Sequence, residues 1–67
     1  MREELKRLRV TNFLTQEQMA KKLGVSRNNY AMIEQGKRTG SVDFWLTLRT
    51  KFKLSLAQLE KMREVKK

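Results

Sequence analysis

The sequence predicts an all-α domain of five short helices, for three reasons. The 67 residues contain no proline and only three glycines, so little interrupts the chain beyond those glycines and a set of capping residues. Apolar side chains recur at spacings of three and four, the helical period, and no alternating strand-like segment of useful length occurs. Two stretches, Thr15-Gln16-Glu17-Gln18 and Ser55-Leu56-Ala57-Gln58, have the form of a capping box, in which a hydroxyl and a glutamine satisfy end amides reciprocally.

The first helix is expected over about residues 2–11, with Leu5 and Leu8 on one face. Glu3 and Glu4 sit in its first turn, where they suit the helix dipole, and Arg9 lies close to the apolar stripe. The second opens at Thr15 and turns Met19, Ala20 and Leu23 inward. Gly24 is a left-handed helix stop, Val25 an apolar plug, and Ser26 the cap of a third helix running to about Gln35, before Gly36. The fourth, about residues 42–52, is expected to bury Val42, Trp45, Leu48 and Phe52. Phe44 and Leu46 lie about 100° to either side of Trp45, so a narrow stripe does not bury both, and which one is exposed is left open. Leu56, Leu59 and Met62 continue the core in the fifth helix, and a short basic tail at about residues 64–67 is expected to fray. Residues 1–67 read as one domain, with no linker, repeat or low-complexity tract.

Composition narrows the function. A domain of this size buries only about 60% of its unfolded surface and has little volume for an enclosed active site. Without cysteine there is no disulfide framework or thiolate metal site, and without histidine the commonest acid–base catalyst is missing. The chain is therefore expected not to be an enzyme and to need no metal, cofactor or small-molecule ligand. The apolar runs are far short of the roughly 20 residues that span a bilayer, and the charged N-terminus lacks a signal peptide's apolar core, so a soluble intracellular protein is expected. Sixteen Lys and Arg against seven Asp and Glu give a formal charge of +9, which favours a polyanionic partner without choosing it.

Residues 16–35 make that choice. Two short helices joined by a tight glycine turn cross steeply, so that one rests on the phosphate backbone while the other projects its N-terminal half into the major groove of DNA. This geometry needs a small residue where the helices approach, supplied by Ala20. It needs a turn residue that tolerates positive φ, supplied by Gly24, and apolar anchors, supplied by Met19, Leu23, Val25, Tyr30 and Ile33.

With these residues in register, the sequence resembles the phage repressor and Cro family of helix-turn-helix regulators, also called the XRE family. The likeness extends from Leu5 through Leu59. It lies in Leu5-Lys6-Arg7-Leu8-Arg9, Leu14-Thr15-Gln16-Glu17-Gln18-Met19-Ala20, Leu23-Gly24-Val25-Ser26-Arg27 and Ile33-Glu34-Gln35-Gly36-Lys37-Arg38. The resemblance implies a compact five-helix, lambda-repressor-like DNA-binding domain that binds a palindromic operator as a two-fold pair, in a cytoplasmic protein of bacterial or phage-encoded origin. It also implies that Arg9 and Glu34 form a structural ion pair, and that Gln16 clamps the DNA backbone. Ordinary capping is the competing role for Gln16.

On the third helix, Tyr30 and Ile33 define the buried side. Asn28, Met32 and Gln35 then point outward, Asn29 and Ala31 lie on the flanks, and Arg27 leads. Asparagine can pair with adenine, arginine with guanine, and methionine can pack on a thymine methyl. Arg27, Asn28, Asn29 and Met32 are thus the base-contacting candidates, with a phosphate contact as the alternative for Arg27 and an ordinary exposed apolar residue for Met32. Gln16, Lys37, Arg38 and Thr39 are the backbone-contacting candidates, whereas Lys21 and Lys22 can serve only to solvate a helix face. The chain departs from the family at Gly40, where proline is usual, at Arg49, where a small apolar residue is usual, and at Trp45, which replaces a smaller aliphatic. An exposed apolar side chain on the fourth helix is expected to contribute to a homodimer contact. The expected function is sequence-specific double-stranded DNA binding by a small standalone transcriptional regulator, most simply a repressor. A protein-interaction or antitoxin-type module with secondary DNA contact is the alternative.

Overall fold

The computed structural model describes residues 1–64 and contains α1 (Glu3–Thr11), α2 (Gln16–Leu23), α3 (Arg27–Glu34), α4 (Val42–Phe52) and α5 (Leu56–Arg63), with no strand among the described residues. Residues 65–67, most of the expected basic tail, lie outside that range.

Hydroxyl caps start four of the helices. Thr15, Ser26, Ser41 and Ser55 accept the backbone N–H of Gln18, Asn29, Phe44 and Gln58, and both capping boxes close through the Gln18 and Gln58 side chains. One device ends four of them. Phe13, Gly24, Gly36 and Lys53 are left-handed, and the next residue returns its N–H to a carbonyl five residues back: Leu14 to Arg9 (3.1 Å), Val25 to Ala20 (3.0 Å), Lys37 to Met32 (2.9 Å) and Leu54 to Arg49 (3.0 Å). These are Schellman closures, which satisfy carbonyls that a helix end otherwise leaves open. In three of them the returning residue, Leu14, Val25 or Leu54, also packs on the core. Arg49 has a local role here: its Nε donates to the Leu54 carbonyl (3.2 Å), as Arg9 Nη1 does to that of Leu14 (2.9 Å).

Leu5, Met19, Ala20, Leu23, Tyr30, Ile33, Phe44, Trp45, Leu48, Leu54, Leu59 and Met62 form the core, with α2 packed on α3, α1 on α3 and α5, and α4 on α2 and α5. Phe44 is buried and Leu46 exposed. Two expectations fail: Val42 is 73% exposed and Leu56 is 62% exposed. Each is the first residue of its helix, just after the capping serine. On α4 the side chains of Phe44, Trp45 and Leu48 span an arc of about 100°, and Val42 falls about 110° from its centre. The buried arc is displaced toward Phe44 because that ring meets Trp45 edge-on (4.9 Å between centroids) and approaches Tyr30 (6.3 Å).

The most buried charged side chain among the described residues is that of Glu34, on a residue only 1% exposed. Arg9 grips it with both arms of its fork, Nε to Oε2 at 3.0 Å and Nη2 to Oε1 at 3.2 Å. The Tyr30 hydroxyl donates to Oε2 and Gln16 Nε2 approaches Oε1 at 3.4 Å. Burial alone drives this carboxyl toward its neutral form, but hydrogen bonds from Arg9 and Tyr30 and the Arg9 charge outweigh it and leave the pKa lowered. Burial and the adjacent carboxylate push the Tyr30 phenol upward, so it remains a donor.

Arg2, expected inside the first helix, instead precedes it and is buried. Its N–H donates to the Glu34 carbonyl (2.8 Å), and its guanidinium lies 5.4 Å from the Trp45 ring centroid. Trp45 Nε1 donates to the Thr39 carbonyl (3.0 Å). Gly40 is fitted under the same ring. At φ +84 it is left-handed, and a Cβ there would lie 2.9 Å from Trp45 Nε1.

Arg9→Ala should cost about 3 kcal/mol in denaturant unfolding at pH 7, because it strands a buried carboxylate. The Glu34 network contributes fully above the ordinary carboxylate value of 4.5, and its contribution is lost as pH falls through the lower folded value. The stability gap between wild type and Glu34→Gln should therefore narrow below about pH 4.5; a gap that stays constant down to pH 2 would refute the depressed pKa. The left-handed positions predict opposite signs. Gly40→Ala should destabilise by more than about 1 kcal/mol, through strain and contact with Trp45. Phe13→Gly should stabilise by about 0.5–1 kcal/mol, because Phe13, at φ 58, is 94% exposed and its ring has little packing to lose. Thermal melts of both variants test the pair.

Candidate nucleic-acid interface

Arg27 and Asn28 occupy the first turn of α3, directly after the Ser26 cap, and both are exposed. No acidic residue shares that turn, so the positive end of the helix dipole is not neutralised locally and Arg27 adds to it. α2 begins beside this turn. Gln16, Arg27, Asn28 and Ala31 line an open groove between the two helix starts, and Arg9, Thr15, Gln16, Glu17 and Arg27 line its continuation. Gln16 and Arg27 are common to both. The turn that creates the groove depends on Gly24 at φ 73, which redirects the chain so that only Gly24, Val25 and Ser26 separate the helices, and on buried Ala20, which lets the helices approach.

The expected contact residues fall into two groups. Gln16, Arg27 and Asn28 cluster at the start of α3. Lys37, Arg38 and Thr39 are all exposed but follow its far end, about 12 Å away along the axis. Asn29 and Met32 are half-buried on the intervening flank. The groups are linked, because Arg38 Nη1 donates to Asn29 Oδ1 at 3.1 Å. The backbone N–H of Asn29 is used by the Ser26 hydroxyl, so only its side chain faces outward chemistry. Gln16 is likewise committed in part, since Nε2 is directed at Glu34 while the neighbouring box of Thr15 and Gln18 does the capping.

Loop 37–39 is shaped by backbone bonds: the N–H groups of Lys37 and Arg38 both return to the Met32 carbonyl, at 2.9 and 3.3 Å. Its carbonyls turn toward Arg2, whose Nη1 meets that of Arg38 at 2.8 Å. Sequence inspection does not find Arg2. The one signal is indirect: the last turn of α3 carries no basic residue, so its carbonyls lack a local cation. Among the described residues no cluster of three or more His, Cys, Asp or Glu could hold a metal, and no helix is long and apolar enough to cross a membrane.

The profile of a family described as the helix-turn-helix domain matches residues 3–59. The chain is also 54% identical, over 37 residues, to a protein of Methanocaldococcus jannaschii described as an uncharacterized HTH-type transcriptional regulator. That similarity covers 55% of this chain and 56% of the relative, so the match spans about half the length of the curated protein. No solved structure matches the chain. Since the family profile covers all five helices up to the middle of α5, and the α2–turn–α3 unit lies at its centre, the chain belongs to the helix-turn-helix domain family.

Proposed function

We propose that the chain binds double-stranded DNA sequence-specifically, reading the major groove with α3 as a small Cro-like regulator that represses transcription by occupying its operator. The observation that carries this is the exposed first turn of α3, with Arg27 and Asn28 free to meet base edges beside Gln16. Asn28 suits adenine. Arg27 reaches guanine or the adjoining phosphate, Asn29 and Met32 flank the contact, and Gln16 sets the register on the backbone. Lys37, Arg38 and Thr39 meet phosphates at the other end of the same helix, and the net charge of +9 drives counterion release.

Support for pairing comes from α4, where Val42 and Leu46, one helical turn apart, are 73% and 50% exposed. We infer that they form part of a two-fold contact that sets two copies of α3 about 34 Å apart, one turn of duplex. Such a pair reads a palindromic operator.

Selection of bound duplexes from a random pool at two salt concentrations should recover a palindrome. Arg27, Asn28 and Asn29 replaced together by alanine should abolish the preference for that site while leaving the circular dichroism unchanged; unaltered discrimination would favour an adaptor or antitoxin-type module instead. Arg27→Ala alone separates its two roles: it relaxes one base position by about 1–3 kcal/mol if it reads a base, or weakens all sequences alike if it holds a phosphate. Sedimentation should show two copies on a two-half-site duplex and weaker pairing in Leu46→Lys. Monomer alone, both free and on DNA, would exclude the dimer.

A further inference from the structure

Arg2 is 4% exposed, although it is the second residue of the chain and is flanked by Met1 and Glu3. Its guanidinium is shared among main-chain carbonyls from three separate segments. Nη1 donates to Ile33 near the end of α3 and to Arg38 (2.8 Å) in the following loop, Nη2 approaches Thr39 (3.5 Å), and Nε donates to Arg63 (3.1 Å) at the end of α5. A planar fork with five donors can serve several acceptors at once, which a lysine ammonium on its flexible stem does less well. Burial and the nearby Arg63 charge lower the Arg2 pKa. The group is thus held where cations are disfavoured, and carbonyls at two helix C-termini offset part of that cost.

The loop so held is the one that presents Lys37 and Arg38. Its carbonyls face Arg2, its side chains are exposed, and the Arg38 side chain reaches back to Asn29 on α3. Arg2 and Asn29 therefore hold Arg38 by its main chain and its side chain respectively. We propose that Arg2 is a positioning residue for phosphate binding: without touching nucleic acid, it fixes loop 37–39 in the form in which Lys37 and Arg38 reach the DNA backbone. This rests on the DNA-binding function proposed above.

The test uses Arg2→Met, which keeps an apolar stem over Trp45 but removes the fork, and Arg2→Lys, which keeps the charge. Binding of the full chain to a fixed mixed-sequence duplex is measured from about 50 to 200 mM salt, at a temperature where near-ultraviolet circular dichroism shows each variant folded. The slope of log K against log salt should fall by about 0.9 for each phosphate no longer engaged, so by about 1 to 2 in Arg2→Met. Arg2→Lys should also show a reduced slope, which loss of one surface charge does not explain. Amide exchange should quicken at Lys37 and Arg38 but not in α2. In a background lacking both the Lys37 and Arg38 side chains, Arg2→Met should leave the slope where that background sets it.

A merely structural arginine would lower the melting temperature and leave the slope of the folded protein unchanged, and that result overturns the proposal. So does an additive loss of slope in the combined variant. If Arg2→Met does not fold, an unchanged slope and unchanged loop exchange in Arg2→Lys overturn it equally. Failure of the wild type to bind any duplex would instead remove the DNA-binding function and the proposal with it.

Discussion

A carboxylate at the centre of a domain this small imposes a strict condition on everything around it. Glu34 is stable there only if charged hydrogen bonds replace the water it has lost, since an ionised group buried alone costs several kcal/mol. The donors come from different places: Arg9 from α1, Tyr30 from the preceding turn of α3, and Gln16 from the start of α2. Apolar packing is non-directional and tolerates small rotations of one helix on another, whereas a bidentate fork does not. The orientation of α3 relative to α1 and α2 is therefore held by polar geometry, and the outward face of α3 takes its position from a contact on its inner side.

A similar economy governs the chain reversals. With no proline to stop a helix, four helix ends close by the same left-handed turn, and only two of the four use glycine. Phe13 and Lys53 adopt the conformation at a steric cost, and the closure is helped by the following leucine, which enters or packs against the core. Arg9 and Arg49 reinforce those two strained ends by donating to the leucine carbonyls. Arg9 thus serves both the buried carboxylate and the end of its own helix.

The helix boundaries are legible in the sequence because serine, threonine and glycine mark them chemically, and the expected caps at Thr15, Ser26 and Ser55 are present. The inward faces of α2 and α3 are legible from their spacing. Val42 and Leu56 depart from expectation because periodicity identifies an apolar stripe but not where the buried arc is centred around the axis: Val42 lies about 110° from the middle of the α4 arc and Leu56 about 90° from that of Leu59 and Met62. Arg2 is all but invisible. Its acceptors are backbone carbonyls, which every residue possesses, so no partner residue type betrays the interaction. The bond between Asn29 and Arg38 is hidden for a related reason: it spans nine positions and depends on the path of the intervening loop.

Gly40 and Trp45 stand in the sequence as two separate departures from the XRE pattern, but in three dimensions they are one. The indole occupies the space a Cβ at position 40 would need, and the backbone there has φ +84, far from the value a proline ring enforces. Gly40→Pro is therefore blocked while the indole is present. Exchange of this corner with the more usual form has a required order of events: the ring must shrink and the loop relax before proline can enter. In the opposite direction, glycine must come before the large aromatic. Substitutions made in the other order set a ring or a Cβ against the indole at position 40.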